Sequence, residues 1–311
     1  MKILVTGGAG FIGSHVSDLF LAQGHEVLVV DNLSSGSRDN LDPRVKFHQL
    51  DVRSPEAAQL ILDEKPQAIT HLAAQMDVRR SVADPRFDAD VNIGGMLNLL
   101  EAAVKAGVER VLFSSTGGAI YGEQDVFPAT ESHPQRPCSP YGVSKAAGEL
   151  YLSYYWQQYG LSYTALRYAN VYGPRQNPHG EAGVVAIFCS RLLAGQECQI
   201  YGEGKQTRDF VFVADVARAN LLALQSDYVG AVNVGTAIET DVNALYAGLV
   251  KVAGVDRPAV HAPAKPGEQL RSCIDPSLAG RLFGWKPEVA LAEGLERTFR
   301  FFEERAKARA I

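Results

Sequence analysis

Apolar and polar positions along this chain switch repeatedly between two periods. Residues 3–6 form an unbroken apolar run that predicts a buried strand, residues 10–23 carry helical spacing closed by Gly24, and residues 26–31 predict a second buried strand. The alternation continues, with strands predicted over 45–50, 68–72, 110–114 and 163–168, and helices over 55–62, 87–106 and 140–159. Strand and helix in strict turn predict an α/β fold, a doubly wound parallel sheet with helices on both faces. After Asn170 the rhythm loosens. A Gly/Pro-rich stretch over 172–183 leads to a helix over 184–194 and then to shorter elements. The pattern therefore divides the chain into a sheet domain over 1–170 and a smaller C-terminal α/β lobe over 171–311 that covers the sheet's carboxyl edge. The boundary is not clean, because segments 210–226 and 231–235 have the pattern of chain returning to the main sheet.

Composition narrows the setting. With 311 residues, 46% hydrophobic and 21% charged, the chain can bury one large core and a smaller companion. The formal net charge of −5, from 30 basic and 35 acidic residues, offers no field for nucleic acid or an anionic membrane, so any phosphate recognition must be local. No run approaches the roughly 18 apolar residues of a membrane span. Lys2-Ile3-Leu4-Val5 leads straight into a glycine-rich turn, so no targeting segment is expected. Cys138, Cys189, Cys198 and Cys273 show neither C-x-x-C nor metal-ligand spacing, which predicts a reducing cytoplasm and no metal.

The candidate chemistry begins at Gly7-Gly8-Ala9-Gly10-Phe11-Ile12-Gly13. This stretch falls between the first strand and the first helix, where backbone N–H groups and the helix N-terminus can hold a pyrophosphate. Asp31 ends the second strand, where a carboxylate accepts from both ribose hydroxyls and repels a 2′-phosphate. Together they predict NAD, rather than NADP, on a Rossmann-like sheet. Midway along the chain Ser139 and Pro140 suit the cap and first position of a helix on which Tyr141 and Lys145 stand four apart, on one face. An ammonium beside a phenol favours the phenolate, so Tyr141 is a candidate base. Taken alone the pair would be an ordinary solvated helix face; the NAD site gives it something to serve.

The G-x-x-G-x-x-G spacing, with Tyr141 and Lys145, resembles the short-chain dehydrogenase/reductase superfamily, and the chain length and extra lobe resemble its extended branch. Nearly the whole chain is similar to that branch's nucleotide-sugar epimerases, of the UDP-glucose (UDP-galactose) 4-epimerase type. The resemblance implies that Gly7, Gly10, Phe11, Ile12 and Gly13 meet the cofactor diphosphate, and that Asp31, Asn32, Ser35, Gly36, Asp51 and Val52 meet the adenosine half. It further implies that Leu72, Ala73, Ala74 and Gln75, with Asn92 behind them, line the cofactor together with Ser114, Tyr141, Lys145 and Tyr168. A hydroxyl of the loop after the fifth strand would reach the reacting sugar oxygen. Thr116 is the best match for that hydroxyl, and Ser115 is the alternative, because Gly117-Gly118 makes the loop one residue longer than the commonest pattern. On the sugar-nucleotide side the resemblance implies Asn170, Val184 and Gln199, with Tyr201 offering a stacking face for uracil. Arg208 and Arg271 would clamp the diphosphate, a task that suits planar forks. Ser272 matches the position where a small residue admits N-acetylated sugars.

Related dehydratases carry an Asp-Glu pair after the Thr, and related decarboxylases a Glu; two glycines here leave elimination without its acid. The resemblance thus implies an isomerase, an NAD-dependent UDP-hexose 4-epimerase that interconverts UDP-glucose and UDP-galactose through a transient 4-keto sugar. It implies a homodimer joined through helices 87–106 and 140–159, with a UDP-sugar as the partner and neither nucleic acid nor membrane. Three alternatives stay open. UDP-GlcNAc is one substrate; UDP-glucuronate is another, with Arg79 or Arg80 as seats for its carboxylate, although exposed arginines are usually plain surface charges. The third is a non-catalytic NAD-sensing protein on the same fold.

Overall fold

The computed structural model describes residues 1–178, 183–264 and 269–309. The chain opens with β1 (Lys2–Thr6), α1 (Phe11–Ala22), β2 (Glu26–Val30), β3 (Lys46–His48), α2 (Pro55–Glu64) and β4 (Ala68–His71). It continues through α3 (Val78–Ala83), α4 (Pro85–Ala89), a π-helical turn at Asp90–Gly94, α5 (Gly95–Ala106), β5 (Arg110–Thr116), α6 (Gly117–Ile120), α7 (Pro140–Tyr159) and β6 (Ser162–Tyr168). The last part holds β7 (Asn170–Tyr172), α8 (Val184–Leu193), β8 (Gln199–Tyr201), β9 (Thr207–Phe212), α9 (Val213–Leu224), β10 (Gly230–Val234), β11 (Glu239–Asp241) and α10 (Val242–Ala253). It closes with β12 (Val260–Ala262), β13 (Arg271–Ser272), α11 (Ser277–Phe283) and α12 (Leu291–Arg309).

Seven strands make one parallel sheet in the order β10-β6-β5-β4-β1-β2-β3. Period-2 alternation gives it two apolar faces. Ile3, Val5, Val27 and Val29 pack on α1, α9 and α11 through Val16, Phe20, Val216 and Ala279. Leu4, Leu28 and Val30 face the other way, onto Ile61 of α2, Leu99 of α5 and Leu152 of α7. Beside β1 the strand order reverses, so the connections after β1 and β4 leave in opposite directions and open a crevice at their carboxyl ends.

Segment 231–235 returns to the main sheet as β10, beside β6. Segment 210–226 does two things: β9 enters a smaller sheet with β7, β11 and β13, while α9 packs against α1. A separate core gathers Tyr172, Phe188, Ile200, Phe210, Leu249 and Phe299 from α8, α10, α12 and the short strands.

The helix predicted over 87–106 runs without a break from 85 to 106, with one π-helical turn inside it. α4 passes through the π turn into α5, and Asn92 inside the turn bonds both backbone groups of Gln75: its Oδ1 accepts from Gln75 N at 2.8 Å and its Nδ2 donates to Gln75 O at 2.9 Å. No helix among the described residues is long and apolar enough to cross a membrane.

Candidate active site

The glycine loop is pressed onto the end of β4. Gly7 has a φ of +70°, and a side chain there would place Cβ 2.6 Å from the Ala73 nitrogen; at Gly13 it would lie 2.1 Å from the Gly7 oxygen. Only glycines let the loop close this tightly. Gly10 caps α1 with no side chain, and Phe11 and Ile12 are half-buried in its first turn, so the turn's N–H groups remain available to an anion. Loop residues beyond β2 dock on the same turn: Ser37 N and Asn40 Nδ2 each donate to Ala9 O at 3.0 Å, close to Gly36, while Ser35 stands exposed.

Asp31 is buried at the end of β2, where its Oδ2 accepts from Ala9 N at 3.1 Å and its Oδ1 from Leu33 N at 2.8 Å. Burial raises its carboxyl, and the two N–H groups oppose that rise. Asn32 donates to Asp51 at 3.1 Å, and the Arg53 guanidinium holds the Asp51 carboxyl well below the usual range. Leu72, Ala73 and Ala74 are half-buried along the strand end, with Leu72 N on Thr6 O at 3.0 Å. The side chains of Val52 and Tyr168 are packed into the core; the Tyr168 hydroxyl accepts from Asn220 Nδ2 at 2.8 Å.

Ser139 caps α7 by accepting from Gly142 N at 3.1 Å, and Pro140 takes the first position. Lys145 Nζ donates to Ser114 O at 2.8 Å and lies 4.8 Å from the centre of the Phe113 ring and 5.8 Å from that of Tyr141. Phe113 stacks in turn on His71 at 5.9 Å. Burial lowers the Lys145 ammonium to about 8, with Asp88 acting against that fall. Burial also pushes the Tyr141 phenol upward, and Asp88 adds to the rise. Within the chain alone, desolvation and Asp88 both act against the phenolate that Lys145 and a positive nicotinamide are expected to favour.

The two candidate hydroxyls point apart, as consecutive residues of a strand do. Ser115 is buried and its Oγ donates to Glu149 Oε1 at 2.6 Å; Glu149 is ion-paired with Arg167 at 2.5 Å. Arg167 reaches on to the Tyr121 hydroxyl at 2.9 Å, which donates to Asn233 at 2.7 Å. Thr116 instead caps α6, accepting from Ala119 N at 3.2 Å. The space over Gly118 is ringed by polar groups: a Cβ built there would lie 3.8 Å from Asn170 Oδ1 and 3.9 Å from both Ser272 Oγ and Thr116 Oγ1. Thr116, Asn170 and Ser272 thus converge from β5, β7 and β13.

Ser272 pairs in register with Arg208, and Arg271 with Thr207, so both arginines stand on neighbouring strands. Arg208 is half-buried and donates to Thr207 O at 2.8 Å. Arg271 is exposed, lies 3.8 Å over the Phe127 ring and forms a two-pronged ion pair with Glu239 at 2.9 and 2.5 Å. Gln199 and Tyr201 share the face of β8 opposite the buried Ile200, and Val184 begins α8. Gly267 and Glu268, which precede Arg271 in its motif, lie outside the described residues. Arg79 and Arg80 are exposed on α3, with Arg80 lying 4.2 Å over Phe87.

Three charged residues escape the sequence reading: Asp88, which Ser144, Gln75 and Asn92 surround; Glu149, four residues beyond Lys145; and Glu239, which holds Arg271. Helical spacing was the available signal for the first two, since Asp88 precedes Asn92 by one turn. Among the described residues no group of three His, Cys, Asp or Glu side chains is arranged to hold a metal ion.

Comparison with known proteins adds to this geometry. Residues 3–235 match the NAD dependent epimerase/dehydratase family. The chain is 45% identical over 314 residues to a UDP-glucose 4-epimerase of Mycolicibacterium smegmatis, covering 99% of this chain and 100% of that one. It is similar to the crystal structure of a UDP-glucose 4-epimerase from the hyperthermophile Thermotoga maritima with UDP-glucose, at a TM-score of 0.96 and 48% identity, covering 98% of this chain and 100% of that one. It is also similar to the UDP-glucose 4-epimerase of Thermus thermophilus in complex with NAD, at a TM-score of 0.92 and 47% identity, covering 97% and 99% of the two chains.

Proposed function

The chain belongs to the NAD dependent epimerase/dehydratase family, and we propose that it is an isomerase, a UDP-hexose 4-epimerase that interconverts UDP-glucose and UDP-galactose with NAD as a held catalyst. The observation that carries this reading is the polar ring of Thr116, Asn170 and Ser272 around the bare α-carbon of Gly118. It offers hydroxyl and amide groups to a sugar and, with Gly117 and Gly118 in the loop, no acid for eliminating water.

The cradle fits a dinucleotide, since no Cβ has room at Gly7 or Gly13 and backbone amides are left to meet a pyrophosphate. Gly7, Gly10 and Gly13 would hold that group, Asp31 the ribose hydroxyls, the Asn32 and Asp51 side the adenosine, and Leu72–Gln75 with Ser114 and Lys145 the nicotinamide half. When bound, NAD would supply a reversible hydride acceptor for C4 of the hexose. Tyr141 Oη takes the proton of the 4-hydroxyl and gives it back, so the sugar passes through a 4-keto form with no net oxidation. Thr116 Oγ1 hydrogen-bonds the same oxygen. Arg208 and Arg271 keep the diphosphate fixed while the keto sugar turns over, and Tyr201 stacks on the uracil.

Ser272 favours a second substrate on the same framework, UDP-GlcNAc, because a small residue stands where the sugar's bulk would fall. The exposed positions of Arg79 and Arg80 lend no such support to UDP-glucuronate. Retention of both Tyr141 and Lys145 weighs against a sensor without turnover. We further propose a homodimer joined through α5 and α7, since α7 exposes Val143, Leu150, Tyr154 and Trp156; light scattering tests it. Four cysteines without a disulfide suit a cytoplasmic setting. Purified protein should convert UDP-galactose to UDP-glucose without added reductant, and a strict need for stoichiometric NADH or NADPH overturns the reading.

A further inference from the structure

Arg271 is held from two sides by the chain itself. On one edge of the guanidinium, Nε donates to Glu239 Oε1 at 2.9 Å and Nη2 to Glu239 Oε2 at 2.5 Å. On its face, the central carbon lies 3.8 Å from the centre of the Phe127 ring. The strand order β11-β9-β13 explains the reach, since Glu239 and Arg271 flank β9 and meet across Thr207, the register partner of Arg271. Thr207 fixes the acid as well: its hydroxyl donates to Glu239 Oε1 at 2.5 Å, while its carbonyl accepts from Arg208 Nη1 at 2.8 Å. One residue of β9 thus touches Arg208 and also the carboxylate that grips Arg271. The Arg271 side chain is 51% exposed and that of Glu239 25%, and an ion pair so open to water adds little to fold stability. Its geometry matters more. A guanidinium can serve an oxyanion in a two-pronged way on more than one edge, and Glu239 takes only the edge formed by Nε and Nη2. The end edge, Nη1 with the second hydrogen of Nη2, is not used by Glu239.

We propose that Glu239 is a positioning residue for Arg271: together with Phe127 it fixes the guanidinium so that the end edge receives the diphosphate of the sugar nucleotide. A free arginine gives up several rotors when it meets an anion, whereas one already locked loses little, and the difference appears as affinity. The negative charge of Glu239 opposes this by repelling the diphosphate. Water around the exposed pair screens that repulsion, whereas the ordering of the fork is not screened, so ordering sets the sign of the effect. The inference deepens the proposed role of Arg271 at the diphosphate and rests on it.

The test is calorimetric titration of the NAD-loaded protein with UDP, which carries the diphosphate without the sugar. Arg271→Ala should weaken UDP binding, and Glu239→Ala should weaken it by about three- to tenfold, the range expected when one long side chain must be ordered on binding. Glu239→Gln, which retains an acceptor for Nε, should recover part of the loss. In the Arg271→Ala background, removing Glu239 should cost nothing further, a result that general loosening of the lobe would not produce. With UDP-glucose as substrate the Glu239→Ala loss should fall on KM and leave kcat within about twofold, because the diphosphate is gripped alike in ground and transition states. A Glu239→Ala protein that binds UDP as tightly as the wild type, or more tightly, makes the carboxylate a counter-ion only and overturns the proposal, as does an equal loss with and without Arg271. Unchanged binding in Arg271→Ala removes this arginine from the diphosphate, and the proposal with it. Phe127→Leu serves if Glu239→Ala does not fold, with a loss in the same direction and the same dependence on Arg271 expected. UDP binding needs no turnover, so it fails separately from the epimerase reading, which wild-type turnover of UDP-sugars decides.

Discussion

Ser115 Oγ donates to Glu149 Oε1 at 2.6 Å, and this bond separates two neighbouring hydroxyls by role. Ser115 belongs to the buried ion pair behind β5, whereas Thr116 faces the space shared with Asn170 and Ser272. Thr116→Ala should lower kcat by about a hundredfold, the usual effect of losing a donor placed at a reacting oxygen, and cost about 1 kcal/mol through the lost cap of α6. Ser115→Ala should show the reverse balance, with kcat within a few-fold of wild type and stability lower by about 1–3 kcal/mol, because a buried carboxylate loses a partner. Steady-state kinetics and urea unfolding of both variants check this, and a swapped pattern assigns the reacting hydroxyl to Ser115.

For Tyr141 the phenol is held up by burial and by Asp88, and the positive charge of a bound nicotinamide would oppose that rise. The Tyr141 phenol should therefore titrate at lower pH in NAD-loaded protein than in protein stripped of NAD, read as the part of the tyrosinate absorbance change that Tyr141→Phe removes. The same variant should lose about a hundredfold or more in kcat while still retaining NAD, as expected when a positioned acid/base is deleted. Full activity in Tyr141→Phe would place the base elsewhere.

Local signals made the glycine loop and the helix that carries Tyr141 and Lys145 legible in the sequence. The glycine loop lies within one turn, Asp31 ends the adjoining strand, and the helix over Pro140–Tyr159 carries its own cap, proline and terminal glycine. What was not legible depends on partners far along the chain. Asn92, inside the π turn, bonds Gln75, 17 residues earlier, and spacing within the helix gives no sign of that partner. The division between Ser115 and Thr116 follows from which face of β5 meets Glu149, 34 residues on. Asp88 and Glu239 look like ordinary surface acids until the fold brings Ser144 and Arg271 to them. Spacing likewise shows the proximity of Lys145 to Tyr141 but not the desolvation of both groups.

His71 ties acid stability to the same core. Its imidazole is stacked on Phe113, its Nδ1 meets Thr6 Oγ1 at 2.7 Å, and burial lowers its pKa from 6.5 to about 3. Above the unfolded value neither state binds the proton and the full contribution is present. As pH falls below it, the unfolded chain charges His71 and the fold does not, so stability declines until the folded imidazole also protonates. His71→Gln should lower stability at neutral pH and flatten this acid limb relative to wild type. Urea unfolding across the mildly acidic range measures both slopes, and parallel slopes would remove His71 from the acid response.

Ser272 is where the proposed substrate range can be narrowed by one residue. It is buried, with its Oγ 3.9 Å from the Cβ position over Gly118, and it pairs in register with Arg208, so it stands between the proposed sugar space and the arginine proposed for the diphosphate. An N-acetyl group adds bulk to the hexose without altering the 4-hydroxyl or the diphosphate. A wall at Ser272 should therefore discriminate on size while leaving the chemistry at Tyr141 intact. Ser272→Tyr should reduce kcat/KM for UDP-GlcNAc relative to UDP-glucose by at least about tenfold, as expected when a pocket loses the room for a small group. UDP-glucose turnover should fall much less, because Thr116 and Asn170 keep their positions. If both substrates fall together, the tyrosine has disturbed the site as a whole and Ser272 does not set the sugar. If neither falls, the N-acetyl group lies on another wall of the pocket.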